Sequence, residues 1–464
     1  LGKARALAVP RLRRYRAHLV PLLVWSVLCA LFFGTILVGV ERLPSSDLTA
    51  QFHAFALFQA REMAQGRLPA WSPGSYAGTP FASDVQAAAC YPARWITILV
   101  AMPWGFPLLA LEWEAVFHIW LAGVFTYALA YSLTREPVAA LAGAVAFALG
   151  GYLTAYPVLQ LAILETIAWL PLALLLLRTA VASARPVPWL VGAGLALAVS
   201  ALAGHPQTFL HVSYAAAAYY LFLAIRSRWR WRWVLGLGAL VATVAVGGQA
   251  AALLPALRFL GHTVRGSVGY DFVATGLPML DYIQFLVPGV LSFWSPGYLG
   301  LAGALLALLA AWGRRHADRA EIIFWAAMAL VAAWLAMGDR GILFELVYHT
   351  APGFALFQHQ ERMLGVFSLS CALLTAQGLA IWLRADREAL GPVLRRLAWF
   401  LGCALLLSGL VLLVARPVAL PAWLGVWARQ WAVGAGVLAL LWGLRRRRER
   451  AWALVLVLGL DLYV

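Results

Sequence analysis

Two carboxylates, Asp47 and Asp84, stand in one polar stretch that interrupts an otherwise apolar chain. It runs from Glu41 to Pro92 and reads ERLPSSDLTAQFHAFALFQAREMAQGRLPAWSPGSYAGTPFASDVQAAACYP. His53, Arg61, Glu62 and Arg67 lie in it as well. A carboxylate a few residues past an apolar span sits at interface depth, where it stays ionised and can take a proton from an acceptor hydroxyl as a general base. Asp47 has that position and is a candidate catalytic residue. The local alternative is helix capping, because Ser45-Ser46-Asp47 before a helical stretch is a good helix start. Asp84 is a second catalytic candidate, with metal ligation or loop hydrogen bonding as alternatives. The spacing of the two carboxylates is not a metal motif. Trp71, Tyr76, Phe81 and Tyr91, interleaved with Pro69, Pro73, Gly74, Gly78 and Pro80, suit a sugar or prenyl site or an interfacial aromatic belt.

Further candidates stand outside this stretch. Gln358-His359-Gln360-Glu361-Arg362 leads into an apolar span. A guanidinium at such a boundary suits a phosphate or diphosphate oxygen, and an ion pair with Glu361 or a loop carboxylate is the alternative. Arg265 and Arg340 are weaker candidates for that role. Glu165 falls near the start of an apolar span, where an unpaired charge is costly, so it faces a hydrated cavity or pairs with an arginine. Tyr152, Tyr156 and Gln160 cluster with it at one helix end. His205, Gln207 and His211 lie at another, and the gap from His205 to His211 is six rather than the four of a helical metal pair. With His53, these residues make the candidate substrate-binding set His53, Glu165, His205, Gln207, His359, Glu361 and Arg362. No metal ligands are assigned. Trp229-Arg230-Trp231-Arg232 reads as a lipid-interface anchor and not as a nucleic-acid contact.

Positioning these groups falls to membrane helices. Of the 464 residues 63% are hydrophobic and 12% charged, with mean hydropathy +0.82. Soluble domains run near half apolar and a quarter charged. Continuous apolar runs of about 17–25 residues indicate spanning helices and not an alternating β-barrel. Thirteen spans are expected, at 19–40, 106–133, 138–157, 162–180, 187–204, 208–225, 233–255, 296–313, 321–338, 363–383, 397–415, 430–444 and 451–464. The stretch 92–103 is apolar but short, which predicts a re-entrant or interfacial segment. Residues 47–65 have helical spacing and are expected to lie along the membrane surface. Cys29, Cys90, Cys371 and Cys403 form neither a CxxC pair nor a disulfide framework.

The formal net charge of +16 follows topology. Lys and Arg mark cytoplasmic loops. Lys3, Arg5, Arg11, Arg13, Arg14 and Arg16 place the N-terminus inside. Each alternate connection is basic: Arg135, then Arg178 and Arg185, then 226–232, 314–319, 384–388 with Arg395 and Arg396, and 445–450. The opposite loops, 41–92, 157–162, 204–208, 256–295, 339–362 and 416–429, hold the candidate chemistry. The chain stops at Asp461-Leu462-Tyr463-Val464 inside an apolar run, which predicts a truncated C-terminus or a short last helix. Walker A, dinucleotide, nucleophile-elbow and zinc-protease motifs are absent from the sequence. The energy for a reaction should then reside in the substrate, as in a phosphate-activated lipid.

The patterns SSDLTAQFHAF, GRLPAWSPGSYAGTPF and AAACYP, with GHPQTFLH at 204–211 and FQHQERMLGVFSLSCALLTAQGLA at 357–380, resemble the YfhO-like branch of the GT-C membrane glycosyltransferases. The resemblance runs along nearly the whole chain. It departs at Gln360, where proline is expected ahead of Glu361-Arg362. What it implies is an all-α polytopic protein of the bacterial inner membrane. Residues 1–464 would form one GT-C-like domain with a large first extracytoplasmic loop containing interfacial helices. The activity implied is transfer of a sugar from a polyprenyl-phosphate donor to an acceptor on the outer face. Asp47 would be the base, and outer-face basic residues, Arg362 first, would hold the phosphate. Some relatives need a divalent metal and others do not. The partners implied are the lipid-linked donor and membrane lipids, with no nucleic acid. The alternatives are a non-catalytic GT-C-like subunit that scaffolds a larger complex with partner membrane subunits, or a lipid or polysaccharide transporter.

Overall fold

In hydrocarbon, a backbone amide has no partner except the chain itself, so long apolar runs fold as helices. The computed structural model describes residues 2–74, 77–263, 268–292, 294–313, 318–415, 420–443 and 447–463, with the side chains of 2–16, 156, 387 and 420–422 left out. Tyr76, Arg265 and parts of the basic connections 314–319 and 445–450 therefore lie outside the described residues, as do the basic side chains before residue 17. Among the described residues the protein is helical, apart from a single bridge between Ser72 and Thr79.

Every span expected from hydropathy falls on a helix. Eight are long and apolar enough to cross a membrane: Leu108–Thr134, Pro137–Thr154, Leu161–Ala182, Pro206–Arg226, Trp231–Leu260, Gln360–Arg384, Glu388–Ala415 and Trp423–Trp442. Ala17–Phe32, Pro186–Leu202 and Leu301–Gly313 are shorter apolar helices. The other two expected spans correspond to Arg319–Leu335 and Arg447–Leu462. Pro137, Pro186 and Pro206 each open a helix, where a missing N–H costs nothing. Several boundaries move appreciably, among them that of the span expected from 397, whose helix begins at Arg387. The expected span 296–313 begins as a helix only at Leu301, because Tyr298 leaves its carbonyl to the Gly151 N–H at 2.8 Å. The helix expected from 430 begins instead at Leu420, which puts Arg429 inside it and not in a connection.

Leu364–Arg384 is the central helix, buried along almost its whole length. It lies against Leu301–Gly313 at glycine distance: a Cβ on Gly378 would stand 1.8 Å from the Leu306 carbonyl oxygen. Small residues at such crossings let backbones approach, and packing drives helix association in lipid. Thr375 adds a hydrogen bond across the same crossing, its hydroxyl donating to the Gly303 carbonyl at 2.9 Å. Trp231–Leu260 is mostly exposed and lies at the rim.

Contacts between connections keep to two ends. At one end the Arg178 guanidinium bonds Glu321, Arg226 pairs with Asp318 at 2.7 Å, and Arg384 pairs with Glu136 at 3.2 Å. These are the connections expected inside. At the other end, Gln207 bonds His359 and Arg362, the Asp339 N–H donates to the Ala274 carbonyl at 2.7 Å, and Gln160 bonds Asp47. The stretch 47–65 is helical from Leu48 to Ala64, with Leu48, Phe52, Ala56 and Ala60 buried at a four-residue spacing. Pro92–Ala101 presents Ile96, Leu99 and Val100 outward while Arg94, Ile98 and Ala101 face the protein. An apolar outer face on a short helix suits an interfacial position.

Gly378→Ala should lower the thermal midpoint of the purified protein in detergent, by overpacking worth about 1–3 kcal/mol. Gly402→Ala, where a Cβ meets nothing within 4 Å, should leave it level or raise it. Equal midpoints for the two variants would contradict this packing.

Candidate active site

Asp47 is placed by a set of side-chain ties. Glu112, buried at the start of Leu108–Thr134, accepts from the Leu43 N–H at 2.9 Å and from Arg42 at 2.8 Å, which fixes the exit from the first helix. Ser46 accepts from the Leu48 N–H at 3.3 Å, and the Asp47 carboxylate makes no cap bond. The hydroxyl, then, serves the helix start that Asp47 was an alternative for. Gln160 Nε2 donates to Asp47 Oδ2, and the second carboxylate oxygen has no hydrogen bond among the described residues. Farther along, Gln51 bonds Gln86 at 2.9 Å and Gln59 donates to the Ala89 carbonyl at 3.1 Å, so the two halves of the loop are held together.

A cavity of about 480 Å³ lies among neighbouring segments, and Asp47 itself is not in its wall. Leu43 and Pro44, just before Asp47, and Val158 and Leu159, just before Gln160, form part of its wall. Asp84 lines a different cavity, of about 270 Å³, together with Cys90, Pro206, Phe209 and Gln249. The structure thus does not bring the two loop carboxylates into one cavity. Asp84 Oδ1 accepts from the Gln86 N–H at 2.9 Å. Burial pushes its carboxyl above the ordinary carboxylate range, against the lowering effect of the Gln86 and Ala87 amides.

A second group forms where 204–208 meets 357–362. Gln207 Nε2 donates to the His359 carbonyl at 3.2 Å, and its Oε1 accepts from Arg362 Nη1 at 2.7 Å. Tyr152 donates to the Arg362 carbonyl at 2.9 Å. Arg362 makes no ion pair among the described residues, and its Nε is buried without a hydrogen-bond partner there. Glu361 pairs instead with His359, at 3.2 Å. His205 caps the following helix: its Nδ1 accepts from the Thr208 N–H at 3.1 Å. Burial and the Arg362 charge hold the ring well below its usual pKa, which keeps that nitrogen free to accept. His211 is buried, its ring centroid 6.0 Å from that of Phe354. His53 stands apart, 3.3 Å from the Phe106 carbonyl and stacked on its ring.

Glu165 belongs to a third group. Arg94 Nε donates to both oxygens of Glu114 at 3.0 Å, and its Nη2 donates to Glu165 at 3.1 Å. All three side chains are buried. Burial would discharge Arg94, but the Glu114 and Glu165 carboxylates outweigh it and raise the guanidinium above its ordinary pKa. Trp169 donates to the Tyr91 hydroxyl at 3.0 Å, that hydroxyl lies 2.6 Å from His118 Nε2, and His118 Nδ1 lies 2.7 Å from the Glu114 carbonyl. One assignment satisfies the whole chain: Nδ1–H donates to the carbonyl and Tyr91 donates to Nε2, with His118 neutral. Glu114, His118 and Glu165 bring three metal-type ligand atoms within 4.8 Å of one another. Arg94 already spans both carboxylates and both histidine nitrogens are engaged, so this donor set does not fit a divalent metal. Glu165 has the arginine partner that its position in an apolar span required. Arg94, Glu114 and His118 escaped the sequence reading, although a charge in PARWITILVA and two in LEWEAVFHIW are signals of the same kind.

Among the described residues the protein is all-helical and multi-pass, and its fold is the GT-C fold. A similar solved structure is ArnT from Cupriavidus metallidurans bound to undecaprenyl phosphate, a GT-C-fold glycosyltransferase. The TM-score is 0.54 at 13% sequence identity, with 95% of this chain and 75% of that chain covered. The apo state of the same enzyme aligns with a TM-score of 0.47 at 14% identity, covering 95% and 74%. Neither a family model nor a curated protein matches the sequence.

Arg94→Met should cost about 3–5 kcal/mol, because it strands two buried carboxylates. Adding Glu114→Gln and Glu165→Gln to that variant should recover much of the loss in thermal midpoint. A triple variant no more stable than Arg94→Met would show that the stranded charges are not the cause. At Asp84 the raised carboxyl pKa means that folding disfavours its ionised form. Its contribution is unpenalised at low pH and worsens as pH rises past the unfolded carboxylate range toward the raised folded value. Asp84→Asn should therefore raise the thermal midpoint at pH 7.5 (roughly neutral conditions) and change it little near pH 4. A gain of the same size at both pH values would exclude this cause.

Proposed function

We propose that the protein transfers a sugar from a polyprenyl-phosphate donor to an acceptor hydroxyl at the outer face of a bacterial inner membrane, with Asp47 as general base. The observation that carries the proposal is the Asp47 carboxylate, with one oxygen held by Gln160 and the other without a hydrogen bond among the described residues. A base needs that arrangement: an orientation fixed by one oxygen and a lone pair left for the acceptor proton. In the displacement, the acceptor oxygen bonds to the anomeric carbon as the bond from that carbon to the phosphate oxygen breaks. The acceptor proton passes to Asp47 and the lipid phosphate leaves with the bonding pair.

Three further observations support the reading. The fold is shared with ArnT, whose solved form holds undecaprenyl phosphate. The motifs from SSDLTAQFHAF to FQHQERMLGVF resemble the YfhO-like branch, in which the acidic residue of the first outer loop serves as base. Arg362, bonded to Gln207 but to no carboxylate among the described residues, keeps its charge available for a substrate anion. The basic connections at the opposite end favour the stated orientation.

Asp47→Asn should keep the wild-type thermal midpoint and lose at least about 100-fold in transfer rate, measured with a labelled prenyl-phosphate sugar in membranes. Wild-type rates in that variant would remove Asp47 as the base. Arg362→Ala should raise the donor concentration required for half-maximal transfer, and an unchanged donor dependence would remove Arg362 from the donor site.

A further inference from the structure

Arg429 lies inside the apolar helix Trp423–Trp442. Its Nε, Nη1 and Nη2 are all buried, and none has a hydrogen-bond partner among the described residues. Arginine at such a depth normally pairs with a carboxylate or with backbone carbonyls, since an unpaired buried charge is expensive. The obvious partner is already committed. Asp461 accepts from the Tyr298 hydroxyl at 2.6 Å and from the Leu301 N–H at 2.6 Å; it lies near enough for the Arg429 charge to act on it but makes no salt bridge with it.

Arg429 is in the wall of the 480 Å³ cavity, and among the described residues no other charged residue is. The rest of the wall is largely apolar, with Phe32, Leu149, Val158, Val426 and Leu462 among the residues that form it. The polar side chains of the wall are occupied: Ser295 Oγ accepts from the Gly289 N–H at 3.0 Å and donates to Gln284 at 3.2 Å. What the cavity offers a ligand is one desolvated cation and a greasy surround.

The geometry points to Arg429 as the subsite for the phosphate of a prenyl phosphate, with the first isoprene units against Phe32, Leu149, Val158 and Val426. A guanidinium matches two phosphate oxygens at once, and its charge is worth most where water is excluded. This subsite rests on the reading above only for the choice of a prenyl chain over other anionic amphiphiles. Arg362 does not line this cavity, so Arg429 and Arg362 are alternative holders of the donor phosphate, and the donor dependence of Arg362→Ala and Arg429→Gln decides between them. Arg429 carries an opposed signature: a charge that destabilises the empty protein and holds the ligand.

The test uses the full chain in detergent with farnesyl phosphate, inorganic phosphate and phosphatidylglycerol mixed micelles as probes. Wild type should bind farnesyl phosphate tighter than either of the other two. Arg429→Gln should weaken that binding by at least about tenfold, and Arg429→Lys should weaken it less. The ligand-free thermal midpoint of Arg429→Gln should equal or exceed that of wild type. Farnesyl phosphate binding that is unchanged in Arg429→Gln overturns the subsite, even if sugar transfer is intact. Inorganic phosphate or phosphatidylglycerol binding as tightly as farnesyl phosphate overturns the prenyl assignment. Arg429-dependent farnesyl phosphate binding in a protein that transfers no sugar keeps the subsite and overturns the transferase reading.

Discussion

One guanidinium between two carboxylates joins the parts of this protein that must stay in register. Arg94 reaches Glu114 on one long helix and Glu165 on another from a short helix that runs along the bundle. The polar loop ends at that short helix. Whatever the loop holds over the bundle is therefore held relative to Leu108–Thr134 and Leu161–Ala182. A buried ion group of this kind is a weak source of net stability, because desolvating three charges offsets their attraction. Its geometric demand is strict, however. Moving any of the three elements strands a charge in a place where nothing replaces its partner.

The same rule explains how the candidate site is built. Each charge near the cavity end is either tied down or left open. Glu112 is tied to Arg42 and the Leu43 amide, Asp461 to Tyr298 and the Leu301 amide, and Glu361 to His359. Arg362 and Arg429 have no carboxylate partner among the described residues, and Asp47 has one bare oxygen there. Buried polar groups are normally satisfied, and of these three open groups Arg429 alone is in the wall of the 480 Å³ cavity. Two open cations and one half-open carboxylate match an anionic donor and a proton-bearing acceptor.

Much of the fold was legible in the sequence, because a bilayer imposes a length and a hydropathy that a single chain cannot disguise. All the expected spans fall on helices, and the alternation of basic connections agrees with which loops bond one another. The site was legible only in part. Asp47, Gln160, Gln207 and Arg362 stand out as polar residues at helix ends. Their pairing does not, since Asp47 meets Gln160 across more than a hundred positions. Arg429 was hidden by a boundary error, having been assigned to a connection when it lies within a helix.

What the sequence by itself determined is which segments are long and apolar enough to cross a membrane and at which end of the bundle the basic connections gather. Both follow from one-dimensional patterns: apolar run length, and the placement of Lys and Arg. What only the tertiary structure decided is which charges cancel and which remain. Glu165 could face water or an arginine until Arg94 was seen beside it, and Asp47 and Asp84 could share a site until Asp84 was found in the wall of a cavity that Asp47 does not line. The physical reason is that Coulomb and hydrogen-bond energies depend on separations of a few ångströms between residues far apart in the chain. Hydropathy is additive along a segment and needs no such distances.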